Sequence, residues 1–223
     1  MRKEYSKSAS LAIIALIYGI AIAAGALVFD RLIPSMPEIW ALFAADVIAT
    51  VIVWGFGLVY ENVSVYDPYW SVAPPVIFTL WAFFKGSVSL PVILLLVAIW
   101  HWGIRLTGNW AWTFKGLHHE DWRYTRYRTT QSPALFQLTN FFGLNMMPTV
   151  LVFACMVPGL RLYETSAAAN ILTWLGFAMC LTAVTIQLVS DTQSHGSGKP
   201  IPVSPATPAC GSTDAIPTTS AKS

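Results

Sequence analysis

Long apolar stretches constrain this chain more than any other feature of its sequence. The first stretch, residues 10–29, has about the 20 apolar residues that a helix needs to cross the hydrocarbon core of a bilayer. Only 11% of the 223 residues are charged, whereas soluble globular proteins carry about 25%. The sequence therefore predicts an integral membrane protein with an all-α fold, a polytopic bundle of transmembrane helices.

Six stretches are predicted to cross the membrane. They cover residues 10–29, 39–60, 72–84, 90–108, 134–157 and 168–190. The third is short, because Pro74-Pro75 and Lys85-Gly86 bound it, and we expect it to begin inside the preceding loop. The third and fourth stretches are predicted to form a tight helical hairpin around Gly86.

Basic residues fall mainly on one side of the predicted bundle. With the N-terminus in the cytoplasm, the cytoplasmic segments contain Arg2, Lys3, Lys7, Lys115, Arg123, Arg126 and Arg128, and Arg105 lies close by. The opposite side contains Arg31, Lys85 and Arg161. An excess of Lys and Arg is typical of cytoplasmic loops. We therefore expect the N-terminus and the loop 109–133 to be cytoplasmic.

The composition also excludes several classes of protein. The 13 basic and 11 acidic residues give a net charge of +2, too small for a nucleic-acid binder. Three cysteines are too few for a disulfide scaffold. No metal site is predicted, because the adjacent residues 118–121 (HHED) would point about 100° apart on a helix and would not share one face.

The composition changes abruptly after Gln193. Residues 194–223 are rich in Pro, Ser, Thr, Gly and Ala, which is typical of a disordered tail. Back-translation of residues 195–223 in a frame shifted by two bases permits the reading RFRKTNTGQPCNTGLWEYGRHPNYFGEI. We therefore predict a transmembrane domain over residues 1–193 and a frameshifted, disordered tail over residues 194–223.

Three motifs point to a known family. The segments 105–128 (RLTGNWAWTFKGLHHEDWRYTRYR), 60–70 (YENVSVYDPYW) and 187–193 (QLVSDTQ) resemble the bacterial membrane branch of the steroid 5-alpha-reductase superfamily. The resemblance covers most of residues 40–193. The shifted-frame RHPNYFGE is similar to the C-terminal signature of that superfamily.

The resemblance implies a helical bundle in the bacterial inner membrane that binds NADPH from the cytoplasmic side. It also implies reduction of a carbon–carbon double bond in a steroid-like or other lipid substrate. The C-terminal cofactor segment is missing from the present reading frame, so we expect this chain to be inactive. Two alternatives remain open: an S-adenosylmethionine-dependent methyltransferase of the same superfamily, and a membrane scaffold without enzymatic activity.

The same resemblance suggests which residues contact the cofactor. They are Arg105, Asn109, Glu120, Asp121, Arg123, Tyr124, Asp191 and Gln193. Arginine side chains suit phosphate recognition, because the guanidinium presents a planar fork of donors. The alternative interpretation of the basic loop is contact with lipid headgroups.

Residues near the end of the second stretch are assigned to the substrate and to proton transfer. By resemblance, Asn62, Asp67 and Trp70 would bind the substrate at the mouth of the reaction cavity. Glu61 or Tyr66 would deliver the proton that hydride addition requires. Asp46 lies within a predicted span, where an ionisable side chain is costly and suggests either function or polar helix packing.

Overall fold

The structure, a computed structural model, describes residues 5–86, 88–165 and 168–196, with the backbone alone for 194–196. The described residues form eight α-helices. These are α1 (Lys7–Leu32), α2 (Glu38–Val59), α3 (Tyr69–Lys85), α4 (Leu90–Thr113), α5 (Trp122–Thr130), α6 (Pro133–Leu138), α7 (Met147–Leu162) and α8 (Ile171–Gly196). A 3₁₀ turn (Val63–Val65) precedes α3, and a π-helical segment (Thr139–Met146) joins α6 to α7.

Five helical stretches are long and apolar enough to cross a membrane. They are Lys7–Leu32, Glu38–Val59, Leu90–Thr113, Pro133–Leu162 and Ile171–Gln193. The predicted stretch 72–84 forms α3, which has 17 residues. It begins at Tyr69, within the segment that was expected to be the preceding loop. At 1.5 Å per residue α3 is about 26 Å long, somewhat less than the ~30 Å hydrocarbon core. The predicted polytopic all-α membrane bundle is therefore confirmed, and α3 is the one predicted span that is not among the five stretches.

Successive long helices run in opposite directions, so that all of their ends lie on one of two faces of the bundle. On the N-terminal face, where α1 begins and α4 ends, Lys7 Nζ donates to the carbonyl of Trp112 at 2.8 Å. On the opposite face, Lys85 at the end of α3 pairs with Glu38 at the start of α2 and with Glu164 after α7. Within the residues that the structure describes, from Tyr5 onward, the two groups of basic residues that the sequence separates therefore lie at opposite ends of the bundle.

The apolar core has two main clusters. One lies between α1, α2 and α3 and includes Ile17 and Val53, and the other lies between α3, α4 and α7 and includes Phe78 and Leu160. The α3–α4 contact depends on Gly103, where an added Cβ would lie 2.7 Å from both Pro75 Cγ and the carbonyl oxygen of Ser71. The two helices therefore approach closely only because residue 103 has no side chain.

Two boundaries differ from the predictions. The predicted cytoplasmic loop, given as residues 105–128 or 109–133, is partly helical. It begins within α4 and contains α5, so that only residues 114–121 are non-helical between these two helices. The prediction was wrong here because α5 is strongly polar and carries no apolar periodicity. Helix α8 continues past Gln193 to Gly196, and the rest of the predicted tail, residues 197–223, lies outside the described residues.

Candidate functional site

The segment 60–68, which connects α2 to α3, forms the floor of the site on the N-terminal face. Glu61 adopts a left-handed backbone conformation, with φ of 51°, so that the chain turns sharply after α2. Asn62 then caps the 3₁₀ turn, because its Oδ1 accepts from the backbone N–H of Ser64 at 2.9 Å. The turn directs Asp67 toward the end of α4 and α5.

Asn62 also ties this segment to the stretch 114–121. Its Nδ2 donates to the carbonyl oxygens of Leu117, at 2.8 Å, and His119, at 3.1 Å. The side chain is fully buried, and its loss would leave two carbonyl groups without this donor. Asn62, predicted to bind substrate, therefore has an observed role in joining two loops that lie 55 residues apart in sequence.

Glu120 forms a second buried connection. Its Oε1 accepts from the backbone N–H of Val63 at 3.0 Å, and Arg128 of α5 donates to both carboxylate oxygens at 2.8 and 3.1 Å. Arg128 also donates to the carbonyl oxygen of Glu61 at 3.1 Å. Glu120, predicted to contact the cofactor, thus anchors α5 to the segment 60–68.

Asp121 and Arg123 form an ion pair at the start of α5. Asp121 caps the helix by accepting from the backbone N–H of Arg123 at 2.9 Å, and the guanidinium donates to both carboxylate oxygens at 2.9 and 3.2 Å. Burial raises the pKa of Asp121, but the hydrogen bonds from Arg123 outweigh that effect and hold the pKa below its usual value. Asp121 is therefore an anion at neutral pH.

Asp67 and Tyr124 form a hydrogen-bonded pair between the segment 60–68 and α5. The Tyr124 hydroxyl donates to Asp67 Oδ1. Burial raises the pKa of the Asp67 carboxyl to about 6, although the hydrogen bond from Tyr124 acts to lower it. Burial, and then the Asp67 charge, raise the pKa of Tyr124 well above its ordinary value, so the phenol stays protonated.

Asp67, Asp121, Arg123 and Tyr124 help to line a polar cavity of about 420 Å³ at the end of α4. Its lining consists of Ser64, Asp67, Trp70, Ser71, Leu106, Asn109, Trp110, Thr113, Phe114, Lys115, His119, Asp121, Arg123 and Tyr124. Residues predicted to bind cofactor and residues predicted to bind substrate therefore share one cavity. Lys115 was not among the predicted site residues. Its position in the basic segment 105–128 was the feature that could have identified it.

A second polar cluster joins α4 to α8 on the same face. Arg105 donates to Asp191 and, at 3.1 Å, to Gln187 Oε1, and Asn109 Nδ2 donates to Asp191 at 3.1 Å. The Arg105 side chain is only 7% exposed, and its Nε has no hydrogen-bond partner among the described residues. Asn109 belongs to both this cluster and the cavity lining, so the two features adjoin.

The remaining predicted residues lie outside the cavity lining. Tyr66 is buried, and its hydroxyl lies 2.6 Å from Thr149 Oγ1. Glu61 and Gln193 are exposed, and Asn62 and Glu120 lie beneath the cavity in the loop connections described above. The proton-donor roles of Glu61 and Tyr66 stay predictions. Across residues 5–86, 88–165 and 168–196, no group of three or more His, Cys, Asp or Glu side chains could hold a metal ion.

Comparison with known proteins gives one match, to a protein family. The family described as "Protein of unknown function (DUF1295)" matches residues 53–200. The matched region begins in α2 and contains the segment 60–68, α4, α5 and α8, and therefore every residue of the polar cavity. Searches of curated proteins and of solved structures found no match.

Proposed function

Because the chain belongs to the DUF1295 family, which includes steroid 5-alpha-reductase-like proteins, we propose that it has the architecture of a membrane-embedded NADPH-dependent reductase. Its substrate would be a steroid-like or other lipid with a carbon–carbon double bond. The membrane would be the bacterial inner membrane, with the N-terminal face in the cytoplasm. The excess of Lys and Arg on that face supports this orientation.

The observation that carries the proposal is the shared polar cavity. Asn109, Asp121, Arg123 and Tyr124, predicted to contact a cofactor, line it together with Asp67 and Trp70, predicted to contact substrate. These six residues come from three separate stretches of the chain. A volume of about 420 Å³ lies within the range of small-molecule sites, 300–1,000 Å³.

The donors present are suited to a phosphate-bearing cofactor. Lys115 and Arg123 line the cavity and would bind phosphate oxygens. Asn109 and Asp191 would hydrogen-bond the sugar hydroxyls or the nicotinamide amide. Arg105 lies outside the cavity lining, and its hydrogen bond to Asp191 would hold that carboxylate beside the cavity. NADPH, when bound, would supply a hydride.

Asp67 is the residue best placed to hold the proton that must accompany a hydride. Its carboxyl lines the cavity, and its raised pKa of about 6 lets it carry a proton near neutral pH. Tyr124 donates to that carboxyl and so fixes its orientation. We propose Asp67 as the general acid in place of Glu61 or Tyr66, neither of which lines the cavity.

Two arginines of α5 provide a matched test of cofactor binding. We expect Arg123→Ala to weaken NADPH binding at least tenfold, because a charge-assisted hydrogen bond contributes about 1.5–3 kcal/mol. Arg126→Ala removes the same charge from an exposed position outside the cavity lining, and we expect it to change the affinity less than twofold. The measurement is a fluorescence titration of NADPH into the purified chain that carries the shifted-frame sequence from residue 195 onward.

The same measurement of cofactor binding can compare the two C-terminal reading frames. The family match ends at residue 200, close to the change in composition after Gln193. We propose that the chain in its present frame is inactive, and that the shifted frame restores the segment that encloses the cofactor. Binding of S-adenosylmethionine without NADPH binding would instead select the methyltransferase. Binding of neither cofactor by either frame would favour a scaffold.

A further inference from the structure

A second cavity, of about 310 Å³, lies between α1, α2 and α3. Small residues make room for it: Gly25 and Ala26 on α1, Ala45 and Ala49 on α2, and Ala73 on α3. Its lining on α1 extends from Ile22 to Ile33, which corresponds to about 16 Å along the helix axis. The cavity is therefore elongated along the bundle, and its lining is apolar except for Asp46 and Tyr69 at one end and the exposed Asp30 of α1 toward the other.

One end of this apolar cavity is polar. Asp46 and Tyr69 line it there, with side chains 6% and 3% exposed, and the Tyr69 hydroxyl donates to Asp46 Oδ1 at 3.0 Å. Because the tyrosine uses its only proton in this bond, the pair presents acceptor oxygens. An ionisable residue within a membrane span is costly and usually serves a ligand or a pathway.

The polar end is held in place by its surroundings. The Tyr69 ring lies 5.5 Å from the rings of both Tyr18 and Tyr66. Tyr66 is itself fixed by a 2.6 Å contact with Thr149, which in turn lies 2.8 Å from the hydroxyl of Thr50 on α2. Acceptors that are oriented before a ligand arrives bind it at a smaller entropic cost.

The other end of the cavity opens on the surface of the bundle. Leu80 and Phe84 of α3 line it there and are 48% and 44% exposed. Ala26 of α1 is also an exposed part of the lining. In a membrane-spanning bundle this outer surface faces lipid chains, so a ligand that enters here comes from the bilayer.

We propose that this cavity binds one molecule of a neutral lipid alcohol. Its hydrocarbon part lies along α1 and α3, and its terminal hydroxyl donates a hydrogen bond to the Asp46–Tyr69 pair. The lining between Asp30 and the Asp46–Tyr69 pair is apolar and disfavours entry of a charged headgroup. The acceptor oxygens of the pair select a hydroxyl over a carbonyl or a bare hydrocarbon end. This site goes beyond the reductase proposal, because it lies outside the polar cavity and needs no cofactor.

The test uses tritiated hexadecan-1-ol and the full chain purified in detergent, without NADPH. We expect saturable binding at one site, with hexadecan-2-one and hexadecane competing at least tenfold more weakly than unlabelled hexadecan-1-ol. Asp46→Ala should lower the affinity for the alcohol at least tenfold, because it removes the acceptor and leaves the buried hydroxyl of the ligand without its hydrogen-bond partner.

A matched pair of α1 variants covers the case in which Asp46→Ala fails to fold. Ala26→Phe places a ring in the cavity from an exposed position and should weaken alcohol binding at least tenfold. Leu27→Phe changes the next residue, which is 67% exposed and outside the lining, and should leave the affinity unchanged.

Either of two results would overturn the proposal: equal affinity for the alcohol, the ketone and the alkane, or wild-type affinity in Ala26→Phe. A failure to bind NADPH would count against the reductase alone, because alcohol binding is measured without it.

Discussion

Asn62 and Asp67 lie five residues apart in one connection, yet their side chains serve different ends. Asn62 is fully buried, and its side-chain amide donates hydrogen bonds to two carbonyl groups of the facing loop. Asp67 faces the polar cavity, where Tyr124 is its hydrogen-bond donor. At the residue scale, Asn62 fixes the loops and Asp67 is left available for chemistry.

Asp67 should make stability depend on pH in the acid range. Its carboxyl has a pKa of about 6 in the folded protein and an ordinary value of 3.8. The folded state therefore holds the proton more tightly, and the free energy of unfolding falls as the pH rises from about 4 to about 6. A shift of this size corresponds to about 3 kcal/mol. Thermal unfolding in detergent across this range measures the effect.

Asp67→Asn provides the comparison for that pH dependence. The amide oxygen still accepts from Tyr124, but the side chain no longer titrates. We therefore expect the variant to lose less stability than the wild type between pH 4 and 6. It should be at least as stable as the wild type above pH 6. If the two proteins lost equal stability between pH 4 and 6, the Asp67 carboxyl would not have the raised pKa described above.

At the scale of helices, the α3–α4 contact depends on one glycine of α4. Gly103→Ala would place a Cβ 2.7 Å from Pro75 Cγ and from the Ser71 carbonyl oxygen, so the helices must separate. We expect a loss of about 1–3 kcal/mol. Gly108→Ala on the same helix meets nothing within 4 Å and should be neutral or stabilising by up to about 1 kcal/mol. Equal melting temperatures for the two variants would contradict this packing.

The connection between α4 and α8 relies on the pair Arg105–Asp191. A double-mutant cycle with Arg105→Ala and Asp191→Ala should give a coupling energy of at least about 1 kcal/mol, because the Arg105 side chain is only 7% exposed. The pair Arg161–Glu164, 59% and 36% exposed, is the control, and its coupling should stay below about 0.5 kcal/mol. Unfolding in denaturant provides both coupling energies. Similar values for the two pairs would contradict the claim that Arg105–Asp191 contributes more than an exposed ion pair.

The sequence predicted the long helices well and the short ones poorly. Runs of about 20 apolar residues identify spans without reference to the rest of the fold, and α1, α2, α4 and α8 follow them closely. Helix α5 was missed because RYTRYR has no apolar face; it is fixed by the Asp121 cap and by the Arg128–Glu120 pair. Such long-range and capping contacts are not visible in hydropathy.

At the scale of the whole molecule, two cavities meet near the start of α3, where Asp67 lines the polar cavity and Tyr69 lines the apolar one. The polar cavity lies on the N-terminal face beside Asp67, and the apolar cavity extends from Tyr69 toward the opposite face. Motif resemblance predicted the residue types of the first cavity, because Asp67, Asn109 and Arg123 lie within the quoted motifs. It could not predict the pairs Asp67–Tyr124 or Asp46–Tyr69, since these depend on how the helices pack.

The most direct test of the account is a titration of NADPH into two versions of the chain. One keeps the present sequence, and the other carries the shifted-frame sequence from residue 195 onward. We predict saturable NADPH binding by the shifted-frame chain and at least tenfold weaker binding by the present one. Absence of NADPH binding by both chains, when both fold as judged by thermal unfolding, would contradict the proposed reductase.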